Sequence, residues 1–259
     1  MMPLPALMVA PNGARLGKAD HPAIPLTLDE IVATARDCHV VGADGLHLHL
    51  RDEGGAHILD SGRYREAVQE LSRAVPGMAV QITTEAVGKY TSAQQRAVAL
   101  TSGASLVSTS IREIMADTDE ETARQFFEEA RGASISLQVI LYDLADLELL
   151  RTVLSQQMFF DPGFQVLFVL GRYSAGQESH PDDLHPFTAW MDTNGWRPDW
   201  AVCAFGRGET ACLDHAHRLG GKLRVGFENS LWGRDGRLAR DNAQRVREIA
   251  ECRVGDSAA

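Results

Sequence analysis

The chain alternates short apolar runs with longer segments of helical period, and this alternation limits the fold more than any other feature of the sequence. Eight runs stand out, at residues 6–10, 45–50, 79–83, 105–108, 136–141, 165–170, 200–205 and 222–227. Strands separated each time by a helix cannot pair as tight hairpins; they line up parallel, with the helices covering the sheet. Eight such units in 259 residues match the usual size of a closed (β/α)8 TIM barrel. An open doubly wound sheet is the rival architecture, and only the count of eight separates the two. No Pro/Ser/Gly-rich linker or charge block interrupts the pattern, so residues 1–259 read as a single barrel domain with a tail, 254–259, expected to fray. In both architectures ligands bind at the carboxyl ends of the strands, which directs attention to the polar residues closing each run.

Local signals agree with this frame. Thr27 with Glu30, Thr91 with Gln94 and Thr118 with Glu121 have the spacing of capping boxes, in which Thr satisfies a free backbone N–H and the third residue on returns the bond. Beyond Thr27, the residues Ile31, Val32, Ala35 and Cys38 recur at helical spacing and form a buried stripe, which Gly42 ends. A composition of 44% hydrophobic and 23% charged residues excludes disorder and fibrous repeats. The net charge of -10 repels phosphate-rich partners at long range, so neither nucleic acid nor an anionic membrane is an expected partner. Cys38, Cys203, Cys212 and Cys252 form no CxxC pair and read as reduced, mostly core thiols. The apolar stretch 3–10 follows no basic residue and is too short to span a bilayer, so it reads as a first strand, and a cytoplasmic location is the expectation.

The sharpest chemical signal is Leu46-His47-Leu48-His49-Leu50-Arg51-Asp52. Side chains alternate along a strand, so His47 and His49 share one face and the leucines the other. On a barrel strand the leucines pack outward on helices and the imidazoles look inward. A bare pair of this kind can equally be a hydrogen-bonded core pair. At the end of the eighth run, however, Arg224, Gly226 and Glu228 share a face by the same alternation, which brings a carboxylate to the same rim. Two imidazoles and one carboxylate leave coordination positions open for water or substrate, as in catalytic zinc sites, and also suit Fe(II) or another divalent ion. Glu228 can alternatively pair with Arg224 or Arg51.

Weaker signals close the other runs: Asn12-Gly13, Thr83-Thr84, and Ser108 to Ser110, each read either as hydrogen-bond donors to a ligand or as helix caps. Gly206-Arg207-Gly208 follows the seventh run, where barrels often bind phosphate, with glycine N–H groups and an arginine fork facing the anion. His215 and His217 lie two apart on a helix, on different faces. His21, His39, His57, His180 and His185 read as solvated or locally bonded.

Taken in order, several stretches resemble the β-keto acid cleavage enzymes, also called 3-keto-5-aminohexanoate cleavage enzymes. They are Ala10-Pro11-Asn12-Gly13-Ala14, Pro25-Leu26-Thr27 with Glu30, the His47 to Asp52 segment, Gly171, and Gly220-Gly221 leading to Arg224-Val225-Gly226-Phe227-Glu228. The resemblance implies a zinc-dependent (β/α)8 barrel, often a homotetramer, that converts a β-keto acid and acetyl-CoA into acetoacetate and a new acyl-CoA. It implies a metal held by His47, His49 and Glu228, a carboxylate held by residues such as Thr83, Ser108 or Ser110, and Arg224 offsetting negative charge. Three departures are visible. Arg15 and Gln138 stand where members with an amino substrate have Glu, and Asn229 replaces an Asp that acts in proton transfer. The first two point to a neutral or distally anionic keto acid. The third leaves three readings: a slow enzyme in which Asp52 or a bound hydroxide takes the proton, a non-catalytic barrel that retains metal and ligand, or a CoA-independent keto-acid aldolase or decarboxylase.

Overall fold

The computed structural model describes residues 2–255. All eight runs are strands: β1 (Leu7–Val9), β2 (Gly45–Leu48), β5 (Ala79–Thr83), β6 (Leu106–Ser110), β7 (Ser136–Leu141), β8 (Gln165–Leu170), β9 (Asp199–Ala204) and β10 (Lys222–Val225). They pair in parallel and close into a barrel in the order β1-β10-β9-β8-β7-β6-β5-β2. Closure excludes the doubly wound alternative. Between the strands lie α1 (Leu28–Val40), α2 (Ser61–Ala74), α3 (Ser92–Thr101), α4 (Ile111–Ile114), α5 (Glu120–Gly132), α6 (Leu144–Val153), α7 (Gln156–Phe159), α8 (His185–Asn194) and α9 (Glu209–Arg218), and α10 (Asn242–Gly255) follows the last strand. Beyond Gly255, the tail expected to fray lies outside the described residues. None of the described helices is long and apolar enough to cross a membrane.

Two apolar layers follow from strand alternation. The larger joins outward strand residues such as Leu46, Leu48, Val107 and Val139 to the helices; the smaller fills the barrel with Met8, Leu106, Leu167, Ala201 and Cys203. The amino-terminal segment closes the bottom: Met2 N–H donates to Ser136 Oγ (2.9 Å), Leu4 N–H to Asp199 Oδ2 (3.0 Å) and Ala6 N–H to Asp44 Oδ2 (2.9 Å). Cys38, Cys203 and Cys212 are buried free thiols, and Cys252 is partly exposed.

Differences from the expected pattern are local. The run 45–50 breaks at His49, and β3 (Leu50–Arg51) turns back to pair antiparallel with β4 (His57–Ile58). The last run stops at Val225 because Gly226, at φ +141°, leaves the extended conformation. The boxes at Thr27 and Thr91 form as expected. The third does not. Asp119 caps α5 by accepting from Thr122 N–H (2.7 Å), while the Thr118 hydroxyl bonds Arg96 (2.6 Å). A carboxylate one residue later is the stronger N-cap acceptor, which frees Thr118.

The outward packing of the leucines on β2 is open to direct test. Leu46 is fully buried against the helix layer, so Leu46→Ala is expected to lower the unfolding free energy by about 2–5 kcal/mol. A urea midpoint unchanged from wild type would contradict that placement.

Candidate metal and substrate site

His47, His49 and Glu228 converge at the carboxyl end of the barrel. His47 Nε2 lies 3.1 Å from His49 Nε2, and Glu228 Oε2 lies 3.6 Å from the first and 3.4 Å from the second. Ligands about 2.0–2.1 Å from a tetrahedral ion stand roughly 3.3–3.4 Å apart. The three donors therefore have the spacing of a ligand set, and they can hold one metal ion. Glu228 Oε2 is buried with no hydrogen-bond partner, an arrangement that is costly unless a cation satisfies it. Burial and the nearby Arg224 hold the His47 imidazole well below its ordinary pKa, so it is neutral and able to ligate. Burial opposes ionisation of Glu228, but the adjacent Arg224 guanidinium outweighs it and holds the carboxyl well below the usual range.

The tautomer of His47 is set from below. Parallel register places His47 opposite Gln81. Gln81 Oε1 lies 2.8 Å from His47 Nδ1, Gln81 Nε2 donates to Gln138 Oε1 (2.9 Å), and Gln138 Nε2 donates to Val166 O (3.2 Å). Each amide is oriented by the next, so Nδ1 of His47 carries the proton and Nε2 presents its lone pair upward. Gln81 was legible in principle, since it shares a face with Thr83 by the two-residue period.

Glu228 arrives by a turn rather than by continued strand alternation. Asn229 N–H and Ser230 N–H both donate to Gly226 O (2.9 and 3.0 Å). This turn is clamped by Glu209 Oε1 accepting from Gly226 N–H (3.2 Å) and by Asn242 Oδ1 accepting from Phe227 N–H (2.9 Å). Glu209 is itself paired with Arg245 at 2.7 Å, both side chains fully buried. Opposite, Gly13 leaves room: a Cβ there would stand 2.6 Å from Glu228 Cγ. Asn12 Nδ2 donates to His49 O (3.2 Å) and Pro25 O (3.0 Å), fixing the break at His49.

A cavity of about 820 Å³, counted with its open mouth, lies above the three donors. Thr83, Ser108, Ser110, Arg15, Arg224 and Asn229 all line it. Ser108 Oγ, Ser110 Oγ and both polar atoms of the Asn229 side chain are buried without partners, while Thr83 Oγ1 accepts from Glu85 N–H (3.0 Å). Arg224 Nη2 donates to Glu228 Oε1 (3.1 Å), but its Nε and Nη1 are buried and unpartnered. Arg15 pairs with Glu85 at 3.1 Å near the rim.

Five residues expected at the site, Asp52, Gln138, Thr84, Gly206 and Arg207, are elsewhere. Asp52 closes the β3–β4 turn, its Oδ1 accepting from Gly54 and Ala56 N–H (both 2.9 Å), and does not line the cavity. Gln138 lies beneath the site in the amide chain. Thr84 Oγ1 donates to Ser108 O (3.0 Å) and does not line the cavity. The backbone donors after β9 are taken: Gly206 N–H by Asn229 O (3.2 Å) and Arg207 N–H by Glu178 Oε2 (2.8 Å). Gly208 is there for packing, since a Cβ would fall 2.0 Å from Ser179 O. The Arg207 guanidinium lies over Trp232, 3.6 Å from the ring centroid.

His57 is neither solvated nor locally bonded. It is buried with its ring centroid 5.1 Å from that of His49, and its Nε2 lies 3.0 Å from Glu85 O. Burial, aided by His49, lowers its pKa to about 3. The β3–β4 hairpin, invisible in the periodicity, brings it there.

A sequence model of the beta-keto acid cleavage enzyme family matches residues 6–254. Over 252 residues the chain is 26% identical to a 3-keto-5-aminohexanoate cleavage enzyme of Fusobacterium nucleatum, covering 92% of this chain and 86% of that protein. Over 253 residues it is 23% identical to a 3-oxoadipate:acetyl-CoA acetyltransferase of Cupriavidus necator, covering 94% and 86%. Among solved structures, a ternary complex of ObcA with a C4-CoA adduct and oxalate superposes with a TM-score of 0.68 at 16% identity; the alignment covers 91% of this chain but 65% of that one.

Two measurements test the site. The purified protein is expected to carry about one divalent ion per chain, and a His47→Ala, His49→Ala double variant to lose it; equal metal content by elemental analysis would overturn the assignment. For His57, the unfolded ring protonates below about 6.5, whereas the folded ring stays neutral down to about 3. Stability therefore falls as pH drops from 6.5 toward 3, by up to about 1.4 kcal/mol per pH unit from this residue. Urea melts of His57→Gln are expected to show a shallower acid dependence than wild type.

Proposed function

The chain belongs to the β-keto acid cleavage enzyme family, and on that premise we propose that it catalyses acetyl-CoA-dependent cleavage of a β-keto acid. The balance is R–CO–CH2–COO⁻ plus acetyl-CoA giving acetoacetate plus R–CO–CoA. The observation that carries this reading is the pairing, in one cavity, of a three-donor metal set with an arginine whose Nε and Nη1 are buried and unpartnered. Such donors, held in place by the Glu228 ion pair, suit a carboxylate or a developing oxyanion. The unpartnered hydroxyls of Ser108 and Ser110 add donors for the substrate carboxylate.

Two neutral imidazoles and a carboxylate with an open position fit zinc, and the same set accepts Fe(II). When bound, the ion supplies a Lewis acid that polarises the keto acid's carbonyl. The residues do the rest: Arg224 offsets negative charge beside the reacting carbons, and the Gln81–Gln138 chain keeps the His47 donor aimed. The relatives named for 3-keto-5-aminohexanoate and for 3-oxoadipate with acetyl-CoA support the reaction class.

Asn229 modifies this reading. It lines the cavity beside Glu228 with a side chain free of partners, yet an amide has no titratable group to accept a proton. A general base typically contributes about 10²–10⁴-fold to rate. Slow acetyl-CoA consumption with a panel of β-keto acids is the expected wild-type result, and Asn229→Asp is expected to be faster at unchanged metal content. Products formed without acetyl-CoA would favour the aldolase or decarboxylase reading, and metal and ligand binding with no turnover in either protein would favour a non-catalytic barrel.

A further inference from the structure

The cavity holds three arginines, and two already face a carboxylate: Arg224 meets Glu228 and Arg15 meets Glu85, each at 3.1 Å. The third is Arg172. Among the described residues no carboxylate pairs with it. Its guanidinium is held by aromatic faces instead, 5.1 Å from the Phe205 ring centroid and 6.0 Å from that of Tyr173. Rings attract a guanidinium electrostatically through its face and leave its in-plane N–H fork open to a further partner; Arg172 is half-buried at the cavity wall.

The loop that carries Arg172 is tightly built. Gly171 sits at φ +77°, and a Cβ there would fall 2.8 Å from Glu178 O. The Arg172 carbonyl accepts from Gln177 Nε2 (3.3 Å), and Ser179 Oγ ties the loop to Phe205 O (2.7 Å). An arginine fork pre-placed in this way and lacking a protein partner matches a carboxylate geometrically.

We propose that Arg172 binds a second, distal carboxylate of the keto acid, so that the preferred substrates are β-keto dicarboxylic acids. The proposal names the substrate class of the site described above and rests on that functional reading. An ammonium group at the same place would face Arg172 unpaired and be rejected. With Gln138 buried beneath the site, the charge discrimination falls to Arg172 rather than to that position.

A phosphate of CoA offers the same oxyanion chemistry, and binding measurements separate the two. The probes are adipate and hexanoate, equal in chain length and differing in the second carboxylate, titrated calorimetrically into the metal-loaded protein. Hydrogen bonds to charged groups correspond to roughly 10–100-fold in affinity. Adipate is expected to bind the wild type about 10–100-fold more tightly than hexanoate, and Arg172→Gln to abolish the difference while leaving hexanoate and acetyl-CoA affinities unchanged. A preference for adipate that survives in Arg172→Gln, or no preference in the wild type, overturns the proposal. Loss of acetyl-CoA affinity alone in the variant does so too, and assigns Arg172 to a CoA phosphate. Because these measurements need no turnover, absence of cleavage with every β-keto acid would sink the enzymatic reading and leave the Arg172 result to stand or fall separately.

Discussion

Closure of a parallel sheet on itself is the constraint on which everything else depends. Once all strands run the same way around a ring, their carboxyl ends share one rim, and the two-residue alternation sorts every side chain into the barrel or onto the helices. His47 and His49 are brought to a common point by that geometry, and so is Gln81, their neighbour across the β2–β5 register. Closure also makes the interior scarce space. Beneath the cavity, polar side chains bond across to neighbouring strands, as in the chain from His47 through Gln81 and Gln138 to Val166 O.

A buried carboxylate is the second demand. Glu228 remains ionised inside the protein because the Arg224 guanidinium lies against it. Its position is controlled largely by residues outside the cavity wall, with Gly13 the one that lines it. Glu209 and Asn242 hold the backbone of the turn, Gly13 leaves the space, and the Glu209–Arg245 pair couples that turn to the α9–α10 interface. The site is therefore positioned largely by the last third of the chain, although its two histidines come from the first fifth.

Strand placement, barrel architecture and the inward aim of His47 and His49 were legible because they rest on local periodicity. Glu228 was legible for a partly mistaken reason: alternation was expected to carry it inward, whereas the strand ends at Val225 and a turn does so. Asp52, Gln138, Thr84 and the Gly206–Arg207 backbone were misjudged together, and for a common cause. Each carries a group suited to a ligand, but each group is consumed by a neighbour distant in sequence or by its own turn. His57 was missed in the opposite sense, since a two-residue strand too short to show a period carries it under His49.

The sequence by itself determined the alternation of strand and helix, the face on which each strand side chain falls, and the set of residue types able to bind a metal and an anion. These are consequences of backbone period and side-chain chemistry, which act over a few residues. Only the tertiary structure decided which of those groups remain unsatisfied. Arg15 is engaged by Glu85, while among the described residues no carboxylate reaches Arg172, whose guanidinium lies against aromatic rings. Whether a donor is free depends on what closure brings within about 3 Å of it, and that distance is set by strand register and turn geometry between segments far apart in the chain.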